Sequence, residues 1–155
     1  MSEESHAEPE YRLAITDQAN EHDRGFLSSQ LKAFNNHISA HHLAIRTQPP
    51  TPLDIFIRDL EGAIVGGLVG ETYWGWLGIE DLWLDERLRG QGYGRRLLLL
   101  AEQEARRRGC RYAQLTTYSF QARGFYEKLG YLVVGQMDDY PPGASYFWLR
   151  KDFWP

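Results

Sequence analysis

The 155-residue chain has a single cysteine, Cys110, so no disulfide can form within it. That thiol directly follows a helix stop and opens a strand-like run, the setting of a buried structural group in a reducing compartment. No apolar run approaches the roughly 20 residues that a membrane span needs. The first ten residues, MSEESHAEPE, are acidic where a secretory signal would be basic and then apolar. The expectation is a cytoplasmic protein with no membrane partner and a short flexible tail over residues 1–10. An excess of positive charge is also missing. Seventeen basic against 21 acidic residues leave a formal charge of −4, which argues against general affinity for nucleic acid. There is no Gly-Lys pair, hence no Walker A loop. His37 and His41 stand one helical turn apart, but no Glu lies between them as in H-E-x-x-H and no cysteine is near, so no metal is expected.

Hydrophobic residues at 43% and aromatics at 14% are enough for one hydrophobic core at this length. The expectation is a single domain over residues 11–155. Tyr11 to Thr16 reads as a first strand, and Asp17 to about His41 as helical on the spacing of Phe26, Leu27, Leu31 and Phe34. Pro49, Pro50 and Pro52 mark a loop. Leu53 to Asp59 and Ala63 to Tyr73 then read as a hairpin turning at Glu61-Gly62, followed by a strand over Leu77 to Leu84. A long helix carries the apolar stripe Leu97, Leu98, Ala101 and Ala105 and the i,i+4 pairs Glu102–Arg106 and Glu104–Arg108, and stops at Gly109. Arg111 to Thr117 is a strand, and Ser119 is suited to cap a helix running to Leu129. Tyr131 to Gln136 and Ser145 to Lys151 close the chain as strands. The alternation predicts an α/β (α+β) domain with a mixed central sheet of about six to seven strands flanked by helices.

The most informative run is Leu88-Arg-Gly-Gln-Gly-Tyr-Gly-Arg-Arg-Leu97, three alternate glycines between a strand and a helix. The first N–H groups of a helix have no internal partner, and the helix dipole favours negative charge there. Glycines let the chain take positive φ and pass close to a bulky phosphate. A diphosphate-bearing ligand held mostly by main chain is therefore expected. The dinucleotide fingerprint G-x-G-x-x-G fails because its third glycine would stand where the chain has Arg95.

The pattern that fits is [RQ]-x-x-G-x-[GA], on Arg89, Gly92 and Gly94, and it resembles the coenzyme A loop of the GNAT acyltransferase superfamily. Glu80-Asp-Leu-Trp-Leu84 is similar to the central strand of those enzymes, and Tyr118 to Tyr131 to their fourth-helix motif. The resemblance implies the GNAT fold and acetyl-CoA as co-substrate. It implies a cofactor site of Leu82, Trp83, Leu84, Arg89, Gly90, Gln91, Gly92, Tyr93, Gly94 and Arg95. Ser119 stands where the family often has asparagine, and Gln121 is the substitute contact. The resemblance further implies Tyr126 as general acid and Glu80 as base, directly or through water. It admits a homodimer, which no residue pattern requires. By strict alternation Asp81 faces away from Glu80 and is the lesser candidate for the base.

Acyl transfer to an amine needs a base for the ammonium proton, a donor for the developing oxyanion and a proton for the departing thiolate. Glu71, Glu80 and Asp81, with Tyr73, Trp74, Trp76 and Trp83, cluster on one hairpin. Acid beside aromatic suits a cationic amine. The expected activity is N-acetyl transfer to a small cationic primary amine. A protein or peptide N-acetyltransferase and a non-catalytic acyl-CoA-binding regulator are the alternatives.

Overall fold

The computed structural model describes residues 11–45 and 48–154, so the tail expected over residues 1–10 lies outside the described residues. The chain divides into two compact units, with the division along the chain between Ala44 and Ile45.

In the first unit, α1 (Glu21–Ile38) starts at Asn20, whose side chain accepts from the Asp23 N–H at 2.8 Å. Glu21 and Asp23 add negative charge to the first turn, where the helix dipole favours it. The helix does not continue to His41. Ser39 is extended (φ −131°, ψ 110°) and separates α1 from α2 (Ala40–Ala44). Tyr11 to Thr16 forms no strand. Leu13 and Ile15 are fully exposed, and no ladder partner stands beside them among the described residues, so their alternation has nothing to pack against.

The second unit is one seven-stranded sheet. It comprises β1 (Thr51–Pro52), β2 (Ile55–Arg58), β3 (Ile64–Tyr73), β4 (Trp76–Leu84), β5 (Tyr112–Tyr118), β6 (Leu132–Asp138) and β7 (Ser145–Asp152). The order is β1-β3-β4-β5-β7-β6, with β2 also paired to β3. Every ladder is antiparallel except β4 with β5, which are joined by α3 (Tyr93–Arg107) as a crossover. Pro52 is tolerated because β1 is a short edge strand.

One face of the sheet carries the core. Leu68, Leu77, Ile79, Ala113, Leu115 and Leu149 alternate inward and meet Leu97, Leu98, Ala101 and Ala105 of α3 and Tyr126 of α4 (Arg123–Lys128). Full burial of a leucine such as Leu98 stabilises by roughly 1.5–3 kcal/mol.

One local expectation is met with an addition, and one is corrected. Glu102 does approach Arg106, at 3.6 Å, yet it is not a surface residue. Its carboxylate is fully buried and accepts from Lys151 Nζ at 2.9 and 2.7 Å and from the Tyr131 hydroxyl at 3.2 Å. The α3 crossover turns this position into the sheet, toward β7. Ser119 does not cap α4, whose N-cap is Ala122, with no side-chain cap bond. Ser119 Oγ instead accepts from the Ser145 N–H at 3.0 Å, and the Ser119 N–H donates to the Ser145 carbonyl at 2.8 Å, stitching the β5–α4 turn to β7.

Candidate active site

The glycine loop starts a helix without any side-chain cap. Gly92 occupies the N-cap at φ 83°, ψ 0°, left-handed backbone that a residue with a Cβ adopts only with strain. The first intrahelical bond is Arg96 N–H to the Gly92 carbonyl at 3.0 Å, so the N–H groups of Tyr93, Gly94 and Arg95 have no helical acceptor. Gly94 has a different reason. A Cβ there would stand 3.3 Å from Phe125 Cζ, so its absence lets the first turn of α3 close on α4. Arg87 is committed to Asp85 at 2.9 Å, and its guanidinium holds that carboxyl at about 2, well below the usual range. Arg89 donates to the Leu84 carbonyl at 3.2 Å, which ties the loop to the end of β4. Arg95 carries no ion pair among the described residues and lines the cleft.

The strand before the loop opens the sheet. β4 and β5 pair only from Trp76–Tyr112 to Ile79–Leu115, although β4 continues to Leu84 and β5 to Tyr118. Beyond Ile79 the edge of β4 that faces β5 has no strand partner, and its N–H and C=O groups need water or a ligand. The resulting cleft has a volume of about 470 Å³. Leu82, Trp83 and Leu84 line it from β4, Arg89 to Arg95 except Gln91 from the loop, and Ala122 and Phe125 from α4 and its cap.

A β-bulge sits where the strands part. Val69 faces Asp81 and Gly70 faces Ile79, so Glu80 has no partner on β3. Ile79 is buried, Glu80 and Asp81 are both exposed, and Leu82 and Leu84 return to the core. The extra residue corrects the expectation that Asp81 faces away from Glu80, because both carboxylates lie on the face opposite α3 and α4. Glu80 borders a second cavity of about 230 Å³ with Glu71, Tyr73, Gly78, Ile79, Gln114, Leu115 and Thr116.

Tyr126 lies on the helix side, 8% exposed, with its ring edge-on to Phe125 at 5.0 Å and to Tyr131 at 5.9 Å. Burial pushes its phenol above the ordinary value, so it holds its proton at neutral pH. No described residue hydrogen-bonds its hydroxyl, and no buried polar side-chain atom among the described residues lacks a partner, so the oxygen keeps contact with solvent.

The sequence model of the acetyltransferase (GNAT) family matches residues 16–131. The chain belongs to this family. It is 38% identical over 130 residues to blasticidin-S acetyltransferase of Streptomyces morookaense, a match spanning 79% of this chain and 96% of that one. The crystal structure of an acetyltransferase from Bacillus cereus ATCC 14579 superposes with a TM-score of 0.78 at 32% identity, covering 90% of this chain and 97% of that one. An acetyltransferase of Bacillus anthracis str. Ames in complex with acetyl coenzyme A superposes with a TM-score of 0.58 at 25% identity, covering 67% and 64%. The enzyme is an acetyl-CoA-dependent acetyltransferase of GNAT type.

The cleft fits that co-substrate. Three free helix N–H groups and the uncommitted Arg95 suit a diphosphate, and the unpaired edge of β4 suits an amide-bearing arm. Of the residues expected to bind the cofactor, Leu82 to Leu84, Arg89, Gly90 and Gly92 to Arg95 share the cleft. Gln91, Ser119 and Gln121 do not line it. Gln91 donates to the Arg87 carbonyl, and Gln121 Oε1 accepts from Thr117 Oγ1 at 3.1 Å and the Tyr118 N–H at 2.9 Å, closing the turn after β5. Sequence reasoning missed Leu88, Ala122 and Phe125. Leu88 opens the glycine run, and Ala122 and Phe125 lie within the Tyr118 to Tyr131 motif, so all three stood inside recognised segments. Among the described residues, no cluster of His, Cys, Asp or Glu is arranged to hold a metal ion, and no helix is long and apolar enough to cross a membrane.

Proposed function

We propose that the enzyme transfers the acetyl group of acetyl-CoA to a small cationic primary amine, with Glu80 as base and Tyr126 as acid. The observation that carries this reading is the parting of β4 and β5 beyond Ile79 and Leu115. It opens the sheet between a carboxylate on one face and a protonated phenol on the other.

Bound acetyl-CoA supplies a thioester, an acyl group already activated toward nitrogen. The remaining chemistry falls to this chain. Glu80, exposed and without an ion pair or hydrogen bond to a described residue, takes the ammonium proton directly or through water. A free β4 N–H near Leu82 or Leu84 donates to the carbonyl oxygen of the transferred group. Tyr126 holds the proton that the leaving sulfur requires. Ser119 and Gln121 support the site through the turn they brace. The relative named for blasticidin S favours a small-molecule acceptor over a peptide. The lone buried thiol of Cys110 is in keeping with a cytoplasmic setting.

The test is a thiol-release assay with acetyl-CoA and a panel of amines and peptide N-termini. Turnover of primary amines that falls in Tyr126→Phe and Glu80→Gln is expected. Inert amines with reactive peptides would make the enzyme a peptide N-acetyltransferase. Binding of acetyl-CoA without turnover of any acceptor would make it a regulator.

A further inference from the structure

The second cavity lies over a glycine that the fold does not require. Gly78 is an interior residue of β4, paired to Glu71 on β3 and to Gln114 on β5. It is not among the positive-φ residues. A Cβ at 78 would meet nothing closer than Gln114 Nε2 and the Glu71 carbonyl oxygen, each at 3.9 Å, which is ordinary contact. Neighbouring Gly70 is different, since a Cβ there would collide with the Gly78 carbonyl oxygen. A mid-strand glycine costs about 0.5–1 kcal/mol relative to alanine. At Gly78 neither backbone conformation nor packing explains that cost. What the missing side chain leaves is space, the floor of the cavity of about 230 Å³.

The walls define what that space takes. Glu71 is half-buried, and neither it nor Glu80 has an ion pair or hydrogen bond to a described residue. The basic side chain on the same row of the sheet is Arg150, opposite Gln114, and it is occupied. It bonds Asp152 at 2.6 Å and stacks over Trp76 and Tyr112 at 5.1 and 4.8 Å. Tyr73, Gln114 and Thr116 add hydroxyl and amide groups but no positive charge.

We propose that Gly78 determines acceptor specificity. The cavity above it receives a second cationic group of the acceptor, distinct from the amine that reacts at Glu80, so the preferred acceptors are dications such as short diamines. This rests on the amine-acetyltransferase reading above. Gly78 pairs with Glu71 and lies two residues before Glu80, a separation of about 7 Å along a strand. That matches two nitrogens joined by about four carbons.

The experiment compares 1,4-diaminobutane with n-butylamine in the thiol-release assay, using the full chain and the variants Gly78→Leu and Glu71→Gln. The wild type is expected to favour the diamine by about tenfold in kcat/KM, the scale of one charge-assisted hydrogen bond. Both variants should erase most of that preference, through KM for the diamine more than through kcat. Glu71→Gln alters no volume and keeps the test decisive if Gly78→Leu folds poorly. Equal use of the two amines by the wild type, or a preference that survives Glu71→Gln and a folded Gly78→Leu, overturns the inference and leaves the amine reading intact. If neither amine is acetylated while peptides are, the amine reading fails and this inference with it.

Discussion

At the scale of the residue, burial suits Tyr126 to the acid role proposed for it. Its phenol is pushed up by removal from water, so it stays protonated through the neutral range and is suited to give a proton rather than take one. Tyr126→Phe should lower kcat by roughly 10²–10⁴-fold. Acetyl-CoA affinity should change little, since the proton is needed only as the sulfur departs and not in the bound ground state; steady-state kinetics beside a binding titration check the split. The buried Glu102 invites a second substitution. Lys151→Met would leave the fully buried Glu102 carboxylate with only the Tyr131 hydroxyl and Arg106 at 3.6 Å, at a cost of up to about 3–5 kcal/mol. Removing both charges, in Glu102→Leu with Lys151→Met, should recover most of that loss. Urea denaturation of the wild type and the two variants measures it.

At the scale of the element, the proposed donor site is the N-terminus of α3 and the loop that feeds it. Gly92→Ala would place a Cβ at φ 83°, costing about 1–2 kcal/mol. The same substitution should weaken acetyl-CoA binding, because relaxing the strain re-aims the N–H groups of Tyr93 to Arg95. Thermal shift with and without acetyl-CoA separates the two effects, and an unchanged ligand-induced shift would remove the loop from the binding site. The sequence spelled out this element almost completely, since glycine spacing, apolar stripe and stop signal all lie within about twenty consecutive residues. The α4 start was less legible. Ser119 has the chemistry of a cap, but its hydroxyl is engaged by the Ser145 N–H, 26 positions away. The stripe of Phe26, Leu27, Leu31 and Phe34 forecast α1, while its end at Ser39 rests on a local extended conformation that the stripe does not encode.

At the scale of the molecule, the two buried phenols set an alkaline limit. Tyr126 is raised by burial, and Tyr131 by burial first and then by the Glu102 carboxylate beside it. In the unfolded chain both ionise near about 10. The folded state therefore holds more protons above that pH, and stability falls as pH rises. The contribution is complete below about pH 10 and is lost as pH climbs toward the raised folded values. Melting temperatures across this range should decline, and less steeply in Tyr131→Phe.

The sequence by itself determined the family, the donor and the glycine loop, because a backbone anion site depends on residues that are neighbours along the chain. It also determined the inward stripe of α3, all four of whose residues are buried. The tertiary structure decided the geometry on which the proposed acceptor side rests. Strand pairing that stops at Ile79, the bulge that turns Glu80 and Asp81 to one face, and the space above Gly78 arise from ladders between residues far apart in sequence. Register is a property of two strands, and no single stretch of chain carries it.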